Sequence, residues 1–278
     1  MWKAMIAVLI LSYLPQLHSY EIKKYKADDL RKSAKLLIPD SFKSTDKYPL
    51  IISLHGFSDP GIFINIALPI NKFIDSKKVF ALKPFGTRDY LLNRFWNTGE
   101  WCCNFFKKDV DDVEYLKNLI LKVKSDYPQI NKVYIMGHSN GAIMSQKMIC
   151  EHPDLISGMI SYAGAGLIRT KKCKTKKSFT YIQINGEKDA LIKFKGRKGK
   201  YPSFDHQVRS VQSEMNCKKQ TRQIISLRKW NSLNNIQVTE YNECRDQNKM
   251  ITWVLPQGKH LTAPGKDGLN SLLGYFGI

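Results

Sequence analysis

The segment Gly137-His138-Ser139-Asn140-Gly141 carries the clearest chemical signal in this chain. A short apolar run, Val133-Tyr134-Ile135-Met136, precedes it, and a helix-like stretch from Ala142 to Cys150 follows. In that strand–turn–helix context G-x-S-x-G reads as a nucleophile elbow, in which a sharp turn lifts the serine hydroxyl clear of the backbone. The glycines let strand and helix pass where side chains at 137 and 141 would collide. A serine hydroxyl needs a base, and the chain offers six histidines. His18 lies in a leader-like start, His138 is inside the elbow, and His55 stands before Gly56 after an apolar run. His152 sits at a helix end in Glu151-His152-Pro153-Asp154, and His206 falls on a helical stretch. His260 remains, in Pro256-Gln257-Gly258-Lys259-His260 just past the last apolar run, and is the expected base. The acid that holds it is expected after the preceding strand, at Asp189 in Asn185-Gly186-Glu187-Lys188-Asp189, with Glu187 as the local rival. Two backbone N–H groups are expected to meet a developing oxyanion. One belongs to Asn140, next to the serine at a helix start. The other belongs to Phe57 in His55-Gly56-Phe57, where the glycine leaves room for a carbonyl.

The elements that must position these residues follow from hydrophobic patterning. Strands are expected at Ala34–Ile38, Leu50–Leu54, Val79–Leu82, Lys132–Met136, Met159–Tyr162, Phe179–Ile184 and Met250–Leu255. From Asp109 to Tyr127 the apolar residues Val110, Val113, Leu116, Leu119, Ile120 and Val123 recur at helical spacing, and Pro128 lies just beyond the end. Further helices are expected at Gly61–Ser76, Ala142–Glu151, Ser203–Met215 and Asp267–Tyr275. Strands alternating with helices, with no repeat and no linker, give an α/β class with a largely parallel central sheet flanked by helices. The series is compatible with the α/β-hydrolase fold. There the base sits on the loop after the final strand, and the chain order is serine, acid, histidine.

With these residues placed, the chain resembles the secreted polyhydroxybutyrate depolymerase and feruloyl esterase group of α/β hydrolases, from about Leu36 to Gly265. The markers stand in order: Leu54-His55-Gly56; Trp96-Asn97 with Trp101-Cys102-Cys103; Val110-Asp111-Asp112-Val113-Glu114-Tyr115-Leu116; the serine motif with Pro153-Asp154. Ala163-Gly164 and Asn185-Gly186-Glu187-Lys188-Asp189 come next, then Asn216-Cys217, Cys244, and Gly258-Lys259-His260 with Pro264-Gly265. The resemblance implies that Ser139, Asp189 and His260 form a triad. It also implies a serine carboxylic-ester hydrolase acting on feruloyl, acyl-polysaccharide or hydroxyalkanoate-type esters, small or polymeric, with no metal or organic cofactor. Phe57 stands where members often carry cysteine, Ala263 where tryptophan is common, and Met215 near a frequent aromatic. The substrate pocket is therefore expected to differ from theirs. The same triad can cleave amides, so a serine peptidase is a competing expectation. A secreted, non-catalytic polyanion-binding protein on the same scaffold is another, although an intact set of three argues against it.

Composition sets the surroundings. Hydrophobic residues make up 43% of the 278, enough for a folded core. Met1-Trp2-Lys3, the apolar stretch Ala4–Leu14 and Ser19 read as a signal peptide over residues 1–19. A single α/β-hydrolase catalytic domain is expected over 20–278, secreted or extracytoplasmic, with no transmembrane anchor after cleavage. Export suits the six cysteines, Cys102, Cys103, Cys150, Cys173, Cys217 and Cys244. Disulfides are expected, with the adjacent Cys102 and Cys103 each finding a distant partner. No C-x-x-C spacing occurs, which argues against a zinc ribbon or a thioredoxin-type site. The net charge of +20 favours polyanions or acidic surfaces, though lysines spread over a solvated surface produce the same balance. No specific nucleic-acid partner is expected. Basic residues cluster at Lys171–Lys177 and at Lys193–Lys200, and the second cluster leaves the Phe179–Ile184 strand on the side where the triad is expected. There it either steers an anionic ester or acidic polysaccharide or forms a solvated loop.

Overall fold

The computed structural model describes residues 20–99, 101–166, 178–227 and 233–278. The expected leader, Cys173 and the basic run Lys171–Lys177 lie outside the described residues.

In chain order the elements are β1 (Tyr20–Tyr25), β2 (Ala34–Pro39), β3 (Tyr48–Leu54), α1 (Ile62–Ala67), β4 (Phe80–Lys83), β5 (Thr87–Arg88) and β6 (Arg94–Phe95). Then come α2 (Asp112–Asp126), β7 (Ile130–His138), α3 (Asn140–Glu151), β8 (Gly158–Tyr162), β9 (Thr180–Gly186) and α4 (Phe204–Met215). The chain closes with β10 (Lys219–Leu227), β11 (Leu233–Asn242), β12 (Lys249–Leu255) and α5 (Gly265–Tyr275). Ten strands form one sheet in the order β1-β2-β4-β3-β7-β8-β9-β12-β11-β10. Its centre, β4 through β12, is parallel. Antiparallel strands extend it at both margins. The small β5–β6 hairpin stands apart.

Period-two alternation decides which face each helix covers. Leu50, Ile52, Val133 and Ile135 point into a layer shared with Leu116, Leu119 and Val123 of α2, Met144 and Met148 of α3, and Val208 and Val211 of α4. Ile51, Tyr134, Met136, Ile160 and Ile182 point the other way, against Ile64 of α1 and Leu269, Leu272 and Leu273 of α5. Both faces are covered, as a parallel sheet requires, and every parallel strand delivers its carboxyl end to the same edge. No described helix is long and apolar enough to cross a membrane.

All the expected strands form, with ends shifted by a few residues. The long helix expected at Gly61–Ser76 does not. It is reduced to α1 and a 3-10 turn at Ile70–Lys72, because Pro69 removes a donor and interrupts the helical ladder. Asp59 starts α1 by accepting from the N–H groups of Gly61 and Ile62 at 2.8 Å each. In α2 the helix begins later than expected. Asp111 is the N-cap, accepting from Glu114 N at 2.9 Å, so Asp109 and Val110 remain in the approach loop. The disulfide expectation for Cys102 and Cys103 is corrected: they are joined to each other. Both sulfurs are confined to a small apolar cluster with Phe95, Ile143, Ile192 and Tyr201, while the other described cysteines are engaged elsewhere. Cys217 pairs with Cys244, and Cys150 is also disulfide-bonded.

Candidate active site

The loops at the carboxyl edge of the sheet bring Ser139, His260 and Asp189 into one line. Ser139 follows β7 on a sharp turn with φ 54° and ψ −118°, a backbone state rarely held by a non-glycine residue. Its N–H donates to Tyr162 O of β8 at 2.9 Å, which fixes the turn to the sheet. The flanking glycines are required sterically. A β-carbon at Gly137 would overlap the backbone of Gly141, and one at Gly141 would lie 2.5 Å from both Leu54 O and His55 O. The elbow is therefore wedged between α3 and the end of β3.

His260 Nε2 lies 3.0 Å from Ser139 Oγ, and His260 Nδ1 lies 2.7 Å from Asp189 Oδ2. Nδ1–H donating to the carboxylate leaves Nε2 as the acceptor facing the serine hydroxyl. Asp189 is held from its other side, where Oδ1 accepts from Leu191 N and Ile192 N, each at 2.8 Å. Its side chain is fully shielded, whereas that of His260 keeps 10% exposure, so the imidazole is the member of the pair that solvent and ligands can reach. The two loops are tied together: Lys188 N donates to Gly258 O at 2.9 Å and Glu187 N to Leu255 O at 3.0 Å. Glu187, the rival acid, is exposed and does not meet His260. His55 is buried, donates from Nδ1 to Gly56 O at 2.7 Å and accepts Gly86 N at Nε2 at 2.9 Å. His206 is exposed on α4, and His152 caps the end of α3.

Asn140 opens α3 with its N–H beside the serine. Among the described residues, neither this N–H nor that of Phe57 is taken up by an acceptor. Gly56 lets its loop pass close to the elbow, since a β-carbon there would lie 3.5 Å from the Ser139 β-carbon and 2.9 Å from His138 Nδ1. Asn140 thus follows the serine directly, and Gly56, the residue before Phe57, packs beside it.

Supporting contacts escaped the sequence reading. The fully buried Asn140 side chain accepts from Trp96 N at 2.7 Å and donates to Trp96 O at 3.0 Å. Trp96 Nε1 in turn donates to His55 O at 2.9 Å, so one tryptophan, through its backbone and its indole, ties the start of α3 to the end of β3. Asp112 is buried against Arg31 Nη2 at 2.7 Å and also accepts from Asn97 N at 2.6 Å. Burial pushes its carboxyl up while the guanidinium opposes. His138, inside the elbow, donates from Nε2 to His260 O at 3.1 Å. Burial, helped by the neighbouring His260, lowers its pKa to about 4. Trp96-Asn97 and Asp111-Asp112 were visible as family markers, but spacing alone does not reveal a partner in another element.

The sequence profile of the Alpha/beta hydrolase family matches residues 115–216, the stretch from α2 to the end of α4. No curated protein sequence matches the chain. Among solved structures, acetyl xylan esterase from Aspergillus awamori superposes with a TM-score of 0.64 at 12% identity, over 92% of this chain and 99% of that one. The Bacillus cereus carboxylesterase gives a TM-score of 0.57 at 11% identity, over 90% and 95%. The Pyrococcus horikoshii acylaminoacyl peptidase gives 0.51 at 14% identity, over 91% of this chain and 39% of that one. At such identities the likeness shows the fold, and the fold of this chain is the α/β-hydrolase fold.

Proposed function

We propose that this chain is a secreted serine carboxylic-ester hydrolase. The observation that carries the reading is the continuous line from Ser139 Oγ through His260 to Asp189, at 3.0 and 2.7 Å. As the serine oxygen attacks the ester carbonyl, His260 Nε2 takes its proton and Asp189 stabilises the resulting imidazolium. The carbonyl oxygen, now negative, is held by the N–H groups of Phe57 and Asn140; one such donor is worth ~10²–10³ in rate. Collapse of the tetrahedral adduct breaks the bond to the alcohol, which leaves with the proton from His260. Water then attacks the acyl-serine, again giving its proton to His260, and the acid departs as Ser139 regains the proton.

Feruloyl, acyl-polysaccharide and hydroxyalkanoate-type esters are the proposed substrates. The resemblance in ordered motifs supports them, and so does the near full-length likeness to an acetyl xylan esterase fold. Phe57 and Phe105, ring centroids 5.4 Å apart, supply apolar surface next to the oxyanion loop. Export through the residue 1–19 leader is supported by disulfides at Cys102–Cys103, Cys217–Cys244 and Cys150.

The test uses protein starting at Tyr20 against p-nitrophenyl, feruloyl and hydroxybutyrate esters, with Ser139→Ala alongside. Turnover in the wild type and its loss in the variant are expected. A folded wild type with no turnover on any ester would sink the proposal, and faster cleavage of matched anilides than esters would turn it into a peptidase.

A further inference from the structure

A cavity of about 700 Å³ lies between α3, α4 and the loops that follow β8 and β9, the second of which also carries Asp189. Lys195, Arg197, Lys198, Lys200 and His206 line it, and no carboxylate is among its described lining residues. None of the four lysine and arginine side chains makes an ion pair with a described residue, and three of them, Lys195, Arg197 and Lys198, are exposed. Elsewhere the chain does pair its cations, as at Lys23–Asp126 and Lys219–Glu243. Four positive side chains around one concavity, without a counter-charge, cost repulsion that an anion relieves. The start of α4 adds to this: Ser203 caps it, and Ser203 and His206 belong to the cavity wall, so the positive end of the helix lies at the same place.

The cavity is mechanically linked to the reaction site. The basic loop leaves β9 immediately after Asp189. Tyr201 folds it back, accepting from Lys193 N at 3.0 Å and donating to Leu191 O at 3.2 Å. The same tyrosine ring packs on Trp101 with centroids 4.7 Å apart, and the neighbouring Cys102 Sγ lies 3.9 Å from Asn140 Nδ2. Gln146, in the cavity wall, is on α3 about two turns beyond Ser139, about 10 Å along the axis. A chain fragment of two or three sugar units spans such a distance. Gln146 Nε2 is used by Ser161 Oγ and Ala165 O, while its buried Oε1 has no partner among the described residues. Ser210 adds a hydroxyl to the same wall.

We infer that this cavity is a subsite for an acidic carbohydrate, binding the carboxylate- or sulfate-bearing units next to the ester that Ser139 attacks. The inference rests on the esterase reading for its place in the reaction, but binding can be measured without turnover. Titration calorimetry on the Ser139→Ala protein would use trigalacturonate, a sulfated trisaccharide, neutral xylotriose and triglutamate. One or both acidic sugars should bind at least tenfold more tightly than xylotriose and triglutamate, with affinity falling as salt rises. The tighter of the two names the anion. Adding Lys195→Gln, Arg197→Gln and Lys198→Gln should weaken that binding about tenfold or more. Lys43→Gln, Lys47→Gln and Lys132→Gln remove the same charge at the opposite edge of the sheet and should change it by about twofold or less. Equal losses in both triple variants would reduce the effect to global charge and overturn the subsite. Equal affinity for triglutamate would overturn its carbohydrate character. Acidic-sugar binding in a protein whose wild type cleaves no ester would retain the subsite and discard the esterase; ester turnover without such binding would do the reverse.

Discussion

An aspartate whose one oxygen takes two backbone N–H groups while the other takes an imidazole has no rotation left to spend. Asp189 is in that position, which makes Asp189→Asn informative. The amide oxygen can keep Leu191 N and Ile192 N, so the amide NH₂ must face His260 Nδ1 and force the tautomer with Nε2 protonated. The base is then lost with little change in packing. We expect kcat to fall by ~10⁴ with an unfolding midpoint close to wild type, whereas Glu187→Gln should change kcat by about twofold or less. If Glu187→Gln lost the greater activity, the acid would be misassigned. Asn140→Ala tests the support beneath the oxyanion loop. Removing its side chain strands Trp96 N and O in a buried place, a loss of about 1–3 kcal/mol in stability. Because the Asn140 N–H loses its anchor, kcat should fall while KM stays near wild type. Unchanged kinetics would separate the Trp96 bonds from the oxyanion loop. Ser139, His260 and Asp189 could be read from the sequence because their chemistry restricts both residue type and chain order. The Asn140 side chain, Trp96 and His138 could not, since their partners lie on other elements and follow no period.

At the scale of elements, the central strands were legible because both faces of a parallel sheet are buried, which leaves dense apolar runs such as Leu50–Leu54 and Val133–Met136. The margins obey no such rule. β10 is almost wholly exposed and reads Lys-Gln-Thr-Arg-Gln-Ile-Ile-Ser-Leu, and β1 buries little beyond Tyr25, so neither was anticipated. α1 was overestimated because its apolar run continues through Pro69. The glycines of the elbow carry a prediction that belongs here, because strand and helix meet through them. Gly141→Ala would push a methyl into the carbonyls of Leu54 and His55, which are backbone and cannot swing aside. A cost of about 1–3 kcal/mol and loss of activity are expected. Gly274→Ala, on the exposed side of α5 with nothing within 4 Å of the added carbon, should instead stabilise by about 0.5–1 kcal/mol. Chemical denaturation of both variants checks the pair, and similar ΔΔG values would mean that helix propensity rather than close approach governs the elbow.

For the molecule as a whole, two buried imidazoles make stability depend on acid. His55 and His138 are each lowered by burial from 6.5 to about 4. Between those values the unfolded chain holds more protons than the folded one, so stability increases with pH across the window. It is complete above about pH 6.5 and is lost progressively as pH falls towards 4, with a limiting slope of about 1.4 kcal/mol per pH unit for each histidine. Asp112, which burial shifts upward, acts in the opposite sense at the acid end of the range. A variant therefore isolates the histidine better than the wild-type curve does. His138→Gln keeps an N–H able to reach His260 O but cannot titrate. Its stability, from urea unfolding at pH 4.5, 5.5 and 7, should fall with acid by about one proton less than the wild type does. Parallel curves for the two proteins would show that His138 takes up no extra proton on unfolding, and the elbow would then contribute nothing to acid sensitivity. The expected divergence instead ties global stability to the same residue that donates to the His260 backbone, so acid that protonates His138 loosens the fold where the base is held.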